Sequence, residues 1–229
     1  MKNKILFALT SHDRKGNTGQ PTGFYLPEAA HPWVVLKDAG FEIDFVSPKG
    51  GRPPMDGADL DDATNRMFLE DPDVARKIGN TPTPNQLSSS EYAAILFVGG
   101  HGTMWDFPDD PALASLAASI YEDGGVVGAV CHGPAALVNL KLANGQYLVN
   151  GKRVAAFTDD EERAVNLDTV VPFLLAKMLQ QRGADHVPAP NWQANVIVDG
   201  RLVTGQNPAS AEGVGGKIAR LLKDGKETN

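Results

Sequence analysis

The sequence predicts an α/β fold, a doubly wound, mostly parallel sheet with helices on both faces. Three observations predict it. Short, nearly continuous apolar runs recur at 4–9, 42–46, 93–98, 126–130 and 153–157. Strands covered on both faces need such runs. Segments with helical signals alternate with them, as in βαβ units. A last pair of runs, 195–198 and 202–204, is joined by Asp199-Gly200, a strong hairpin signal.

Each helix has its own warrant. The segment 27–39 carries proline in its first turn and ends at Gly40. The segment 110–122 opens with Asp110 as N-cap and Pro111 at the first helical position. A helix over 134–140 follows the cysteine, and a long one over 167–182 ends at Gly183. Asn207-Pro208 opens the last, which runs to about 222.

Two stretches break the rhythm. Residues 47–90 are rich in proline, glycine and aspartate, with a short helix expected at 71–78. That is too long for an ordinary connection, so a lid or a subdomain within a single domain spanning 1–229 is expected, or surface decoration. Residues 11–23 hold Gly16, Gly19 and Gly23 directly after the first strand. They fit neither G-x-x-x-x-G-K-S/T nor G-x-G-x-x-G, so no nucleotide site is expected.

The 229 residues are 42% hydrophobic and 21% charged, with a formal net charge of -7. An acidic chain without a basic run argues against nucleic acid and anionic membranes as partners. The first apolar run stops at Thr10 and meets His12, Asp13 and Arg14, unlike a signal peptide. No stretch approaches the ~20 apolar residues of a membrane span. A cytoplasmic protein is expected.

The single cysteine, Cys131, forms no intrachain disulfide and leaves no cysteine cluster for a metal. An isolated cysteine is ordinarily a small buried hydrophobe. Here it sits where a buried strand runs straight into a helix, in Val126-Val127-Gly128-Ala129-Val130-Cys131-His132-Gly133-Pro134. That is the pattern of a nucleophile elbow, which presents its side chain at the carboxyl end of the sheet, where ligands bind. A helix N-terminus there favours thiolate over thiol.

His132 is adjacent, but neighbours on an elbow point different ways unless the backbone turns sharply. One strand earlier, Gly99-Gly100-His101-Gly102 ends a strand, and the backbone at Gly100 is a candidate oxyanion hole. The same glycines also suit a tight turn. His101, Trp105 and Asp106 follow as candidate pocket residues. Among carboxylates, Glu28 lies in the first turn of a helix, where dipole reasons alone suffice. Thr158 and Glu161 form a capping box, which leaves Glu162 as the functional candidate of its pair. A carboxyl kept protonated by burial could bond the thiolate and relay a proton.

These residues resemble the ThiJ/PfpI superfamily, related to class I glutamine amidotransferase domains. The matches are Ala129-Val130-Cys131-His132-Gly133-Pro134, Gly99-Gly100-His101-Gly102, and Gly23-Phe24-Tyr25-Leu26-Pro27-Glu28-Ala29-Ala30-His31-Pro32. The last, with Gly40-Phe41-Glu42-Ile43-Asp44-Phe45-Val46-Ser47-Pro48, is similar to the heat-shock chaperone and glyoxalase III branch. The resemblance covers nearly the whole chain.

It implies a flavodoxin-like sandwich, a homodimer and a Cys–His–Glu site. Cys131 would be the nucleophile with His132 beside it, Glu28 the acid on the thiolate, and Glu162 the acid that orients the histidine. It implies conversion of a small 2-oxoaldehyde, methylglyoxal, to D-lactate without glutathione, metal or other cofactor. Cys131 would form a hemithioacetal and Glu28 would move a proton between the two carbons through an enediol. Repair of glycation adducts and chaperone action are related activities.

A glutamine amidotransferase carries a late H-x-E, and none of the five histidines here has glutamate two residues on. A cysteine peptidase remains the enzyme alternative. A non-catalytic chaperone or redox sensor, in which Cys131 is oxidised, is the alternative of another class. His31, His101 and His132 match no standard zinc spacing, so no metal is expected.

Overall fold

A computed structural model describes residues 2–227. The order is β1 (Lys4–Ala8), β2 (Phe24–Tyr25), α1 (Leu26–Asp38), β3 (Glu42–Val46), β4 (Met55–Asp56), α2 (Ala63–Glu70), α3 (Pro72–Gly79), β5 (Tyr92–Phe97), α4 (Thr103–Asp106), α5 (Pro111–Glu122) and β6 (Val126–Val130). It continues with β7 (Arg153–Val154), α6 (Asp159–Ala164), α7 (Leu175–Gln181), β8 (Asp185–His186), β9 (Val196–Asp199), β10 (Leu202–Gly205) and α8 (Ala211–Glu227).

The main sheet runs β3-β1-β5-β6-β10-β9. All its pairings are parallel except that of β9 with β10. This is the flavodoxin-like arrangement with an antiparallel edge added. Side chains alternate across it. Leu6, Ala8, Ile95 and Phe97 join the core under α5 and α7, while Ile5, Phe7, Leu9, Ala94, Leu96 and Val98 join the core with α1 and α8. No helix among the described residues is long and apolar enough to cross a membrane.

Three expected elements differ. The run 153–157 is a strand only at Arg153–Val154, paired with β8 outside the main sheet. Its other backbone donors go elsewhere: Ala155 N to Thr204 Oγ1 at 2.9 Å and Phe157 N to Cys131 O at 2.9 Å. The helix expected over 167–182 exists only as Leu175–Gln181. Pro172 lacks an amide hydrogen and disfavours helix before it, so the stretch ahead of α7 is made of turns. The segment after the cysteine is a five-residue 3₁₀ turn, Gly133–Leu137, rather than a helix.

The 47–90 segment is built into the fold. It contributes β4 beside β2, and α2, which packs on α1. Phe68 is fully buried, with its ring edge-on to Trp33 at 5.4 Å and to Phe45 at 6.0 Å. Asp62 caps α2 and takes a hydrogen bond with His31 Nε2 at 2.7 Å. His31 therefore faces this segment.

Candidate active site

β6 delivers Cys131 to the carboxyl end of the sheet with φ of 59°. That left-handed backbone costs a non-glycine residue on the order of 1–3 kcal/mol and persists where the surroundings enforce it. Here Cys131 N donates to Gly205 O and Cys131 O accepts from Phe157 N, each at 2.9 Å. Gly133 lets the chain turn away at once, because a Cβ there would lie 2.2 Å from Phe97 O.

The turn brings the neighbouring side chains together. His132 Nδ1 lies 3.3 Å from Cys131 Sγ. Its other nitrogen, Nε2, lies 2.7 Å from Glu162 Oε2, and His101 Nε2 lies 2.9 Å from Glu162 Oε1. The His101 and His132 rings are 4.1 Å apart, and Phe157 lies 4.3 Å from His132 on the same stack. Burial works against charge on Glu162, but the two histidines outweigh it and hold the carboxyl down at about 2. Burial and the neighbouring His132 hold His101 down at about 4. An ionised carboxylate only accepts, so both Nε2 atoms donate to it. With Nε2 turned to Glu162, Nδ1 is the nitrogen of His132 that faces the thiol.

Glu28 comes from the first turn of α1 and is wholly buried. Neither of its carboxyl oxygens has a hydrogen bond of ordinary geometry; the groups facing them are the Cys131 thiol and the Gly99 backbone. Burial raises its pKa to about 8, so it is protonated at neutral pH. Gly99 makes room for it, since a Cβ there would fall 2.2 Å from Glu28 Oε2. The buried acid that contacts the thiol is thus Glu28, while Glu162 is an anion on the histidines.

Burial and the proximity of Glu28 push the Cys131 thiol up, and the His132 amide opposes them. The short 3₁₀ turn after Cys131 gives little of the helix-dipole assistance expected from a full helix. The titratable groups nearest the thiol are His132 and Glu28.

A cleft of about 370 Å³ opens over Cys131, lined by Glu28, Gly100, His101 and His132 and by Lys15, Tyr25, Asp56, Phe157 and Trp192 among others. Trp105 does not line it. Its ring stacks on His12 of the 11–23 loop at 5.1 Å. Asp106 is likewise occupied, accepting from Thr10 Oγ1 at 2.8 Å and Ser11 N at 2.7 Å. Lys15 and Asp56, from the two irregular segments, approach within 3.7 Å at the cleft. His101, His132 and Glu162 hold ligand-type atoms within 4.8 Å of one another, the one such grouping found among the described residues, and His31 is not part of it.

The model of the DJ-1/PfpI family matches residues 21–221. Glutathione-independent glyoxalase HSP31 of Saccharomyces cerevisiae is 35% identical over 96% of this chain and 98% of its own length. The crystal structure of Rapid Encystment Protein 24 kDa from Francisella tularensis superposes with a TM-score of 0.93 at 41% identity, covering 97% of this chain and 99% of that one. Glyoxalase III from Candida albicans superposes with a TM-score of 0.86 at 28% identity, covering 95% and 96%. On the strength of that match and of these relatives, the chain belongs to the DJ-1/PfpI family.

Proposed function

We propose that the chain is a glutathione-independent glyoxalase that converts methylglyoxal and water to D-lactate, with Cys131 as the nucleophile. One observation carries it above the rest. A single thiol has His132 Nδ1 3.3 Å away and, separately, a neutral buried carboxyl against it. Two independent proton carriers at one thiol are what an intramolecular redox isomerisation needs. The similarity to proteins named glutathione-independent glyoxalase supports it.

The protons and electrons balance over four steps. Cys131 gives its proton to His132, the thiolate adds to the aldehyde carbon, and Glu28 protonates the new alkoxide. That leaves a hemithioacetal, a Glu28 carboxylate and a His132 imidazolium. Glu28 then removes the hydrogen on the former aldehyde carbon; the electron pair forms the enediol double bond, and His132 protonates the second oxygen. Next, Glu28 returns its proton to the second carbon while His132 takes the hydroxyl proton of the first, which gives a lactoyl thioester. Finally Glu28 accepts a proton from water, hydroxide adds to the thioester, and the departing sulfur recovers its proton from His132. General acid–base steps of this kind contribute roughly 10²–10⁴-fold each.

The test is incubation of the purified chain with methylglyoxal in glutathione-free buffer, followed by assay of lactate. Stoichiometric conversion of aldehyde to lactate is expected. Aldehyde loss without lactate would overturn the proposal and indicate adduct formation alone.

A further inference from the structure

Among the described residues, three other than glycine have a left-handed backbone: Cys131, Asn166 and Trp192. All lie at the cleft. Cys131 and Trp192 line it, and Asn166 lies between Val165 and Leu167, which also line it. The elbow accounts for Cys131, and asparagine adopts this conformation readily. A tryptophan at φ of 65° is a true outlier that the surroundings must enforce.

Glu161 enforces it. Its side chain is wholly buried, and Oε1 accepts from Trp192 N at 2.8 Å, Asn207 Nδ2 at 2.9 Å and Gln206 Nε2 at 3.1 Å. Oε2 closes the capping box with Thr158. The glutamate beside Glu162 thus ties the Trp192 loop to the element that orients His132. The result is an indole that stays 49% exposed at the mouth of the cleft. It continues the aromatic stack inward, with Phe157 at 5.8 Å and His132 at 4.3 Å beyond that. Val165, 38% exposed, adds a second uncovered apolar group to the same rim.

A strained, anchored and uncovered aromatic wall serves no purpose for methylglyoxal, whose only substituent is a methyl group. A cleft of about 370 Å³ lies in the roughly 300–1,000 Å³ range of sites that enclose far larger ligands. We propose that Trp192 is a specificity residue, which with Phe157 selects 2-oxoaldehydes bearing an aromatic substituent on the keto carbon over methylglyoxal. This rests on the glyoxalase function proposed above. The aldehyde carbon meets Cys131, and the ring on the neighbouring carbon packs edge-on or offset against Phe157 and the indole. The chemistry is unchanged: the aryl 2-oxoaldehyde and water give the aryl 2-hydroxy acid.

The experiment uses phenylglyoxal and methylglyoxal as probes, with mandelate and lactate as products. It compares kcat/KM for the wild type, Trp192→Gly and Trp192→Phe. Glycine keeps the left-handed backbone without strain, so the loop retains its path. In Trp192→Gly the phenylglyoxal-to-methylglyoxal ratio should fall about tenfold, mainly through KM for phenylglyoxal, and Trp192→Phe should regain most of it. A ratio that Trp192→Gly leaves unchanged, with methylglyoxal still converted by the wild type, overturns the inference and leaves the glyoxalase function standing. A wild type that converts neither aldehyde removes the glyoxalase function and this inference with it.

Discussion

His132 Nδ1 lies 3.3 Å from the sulfur of Cys131, its immediate neighbour in the chain. Side chains adjacent in sequence meet this way because φ of 59° at Cys131 folds the backbone back on itself. Any change that lets this residue relax to an ordinary conformation separates the sulfur from the imidazole.

Glu28 keeps its proton to about 8 in the fold, against 4.5 for an ordinary glutamate. Between these values the folded state holds more protons than the unfolded chain, so stability falls as pH rises through the interval. Glu28→Gln is neutral at every pH and removes that slope. The variant should gain on the wild type by up to a few kcal/mol at about pH 9, at ~1.4 kcal/mol per pH unit. Urea unfolding at about pH 5 and about pH 9 checks it.

The same group shapes the rate. The proposed sequence of steps begins with Glu28 protonated, so kcat/KM should fall as pH rises past about 8. That limb belongs to the coupled Glu28–Cys131 pair rather than to one residue. A profile still rising beyond this value would contradict the proton store.

Glu162 accepts from both histidines. In Glu162→Gln one carboxamide face becomes a donor, and where it meets His132 it drives the ring proton onto Nδ1, opposite the thiol. We expect kcat to fall about 10²–10⁴-fold with KM little changed. Steady-state kinetics on both aldehydes measures the split.

Gly99→Ala would set a methyl 2.2 Å from Glu28 Oε2 and 2.5 Å from Val130 O. It should cost about 1–3 kcal/mol of stability and most of the activity. Gly216→Ala, in α8 with open space around it, should instead stabilise by about 0.5–1 kcal/mol. Thermal unfolding of the two variants side by side tests the contrast.

The sheet is legible because buried parallel strands require apolar runs: 126–130 matches β6 to the residue, and 42–46 matches the edge strand β3, where Glu42 and Asp44 interrupt the run. Asp199-Gly200 placed the hairpin for the same local reason. What failed depended on partners. The 153–157 run is nearly as apolar as a core strand, yet Ala155 N bonds the Thr204 side chain and Phe157 N bonds Cys131 O, outside any ladder. α2 carries no periodic signal because Met67, Phe68 and Leu69 are consecutive rather than spaced at helical period; Phe68 is buried in the core, Leu69 packs against it partly buried, and Met67 is exposed. A strand running into a turn marks Cys131, and a first-turn position marks Glu28, whose role at the thiol comes only from the family resemblance. The sequence does not show the charge state of either carboxyl, which burial and the neighbouring rings decide: Glu28 is the neutral acid at sulfur and Glu162 the anion on the histidines. Phe157 and Trp192 carried no local signal, because an aromatic stack over a cleft is made by tertiary contacts. The buried-aspartate and ring contacts of Asp106 and Trp105 were invisible for the same reason.

The most direct measurement is lactate formation from methylglyoxal, without glutathione, by wild type, Cys131→Ala and Glu28→Gln at equal concentrations of folded protein. We expect turnover by the wild type and none above background in either variant. Undiminished lactate formation by Cys131→Ala would contradict thiolate attack, and with it the central role assigned to the elbow.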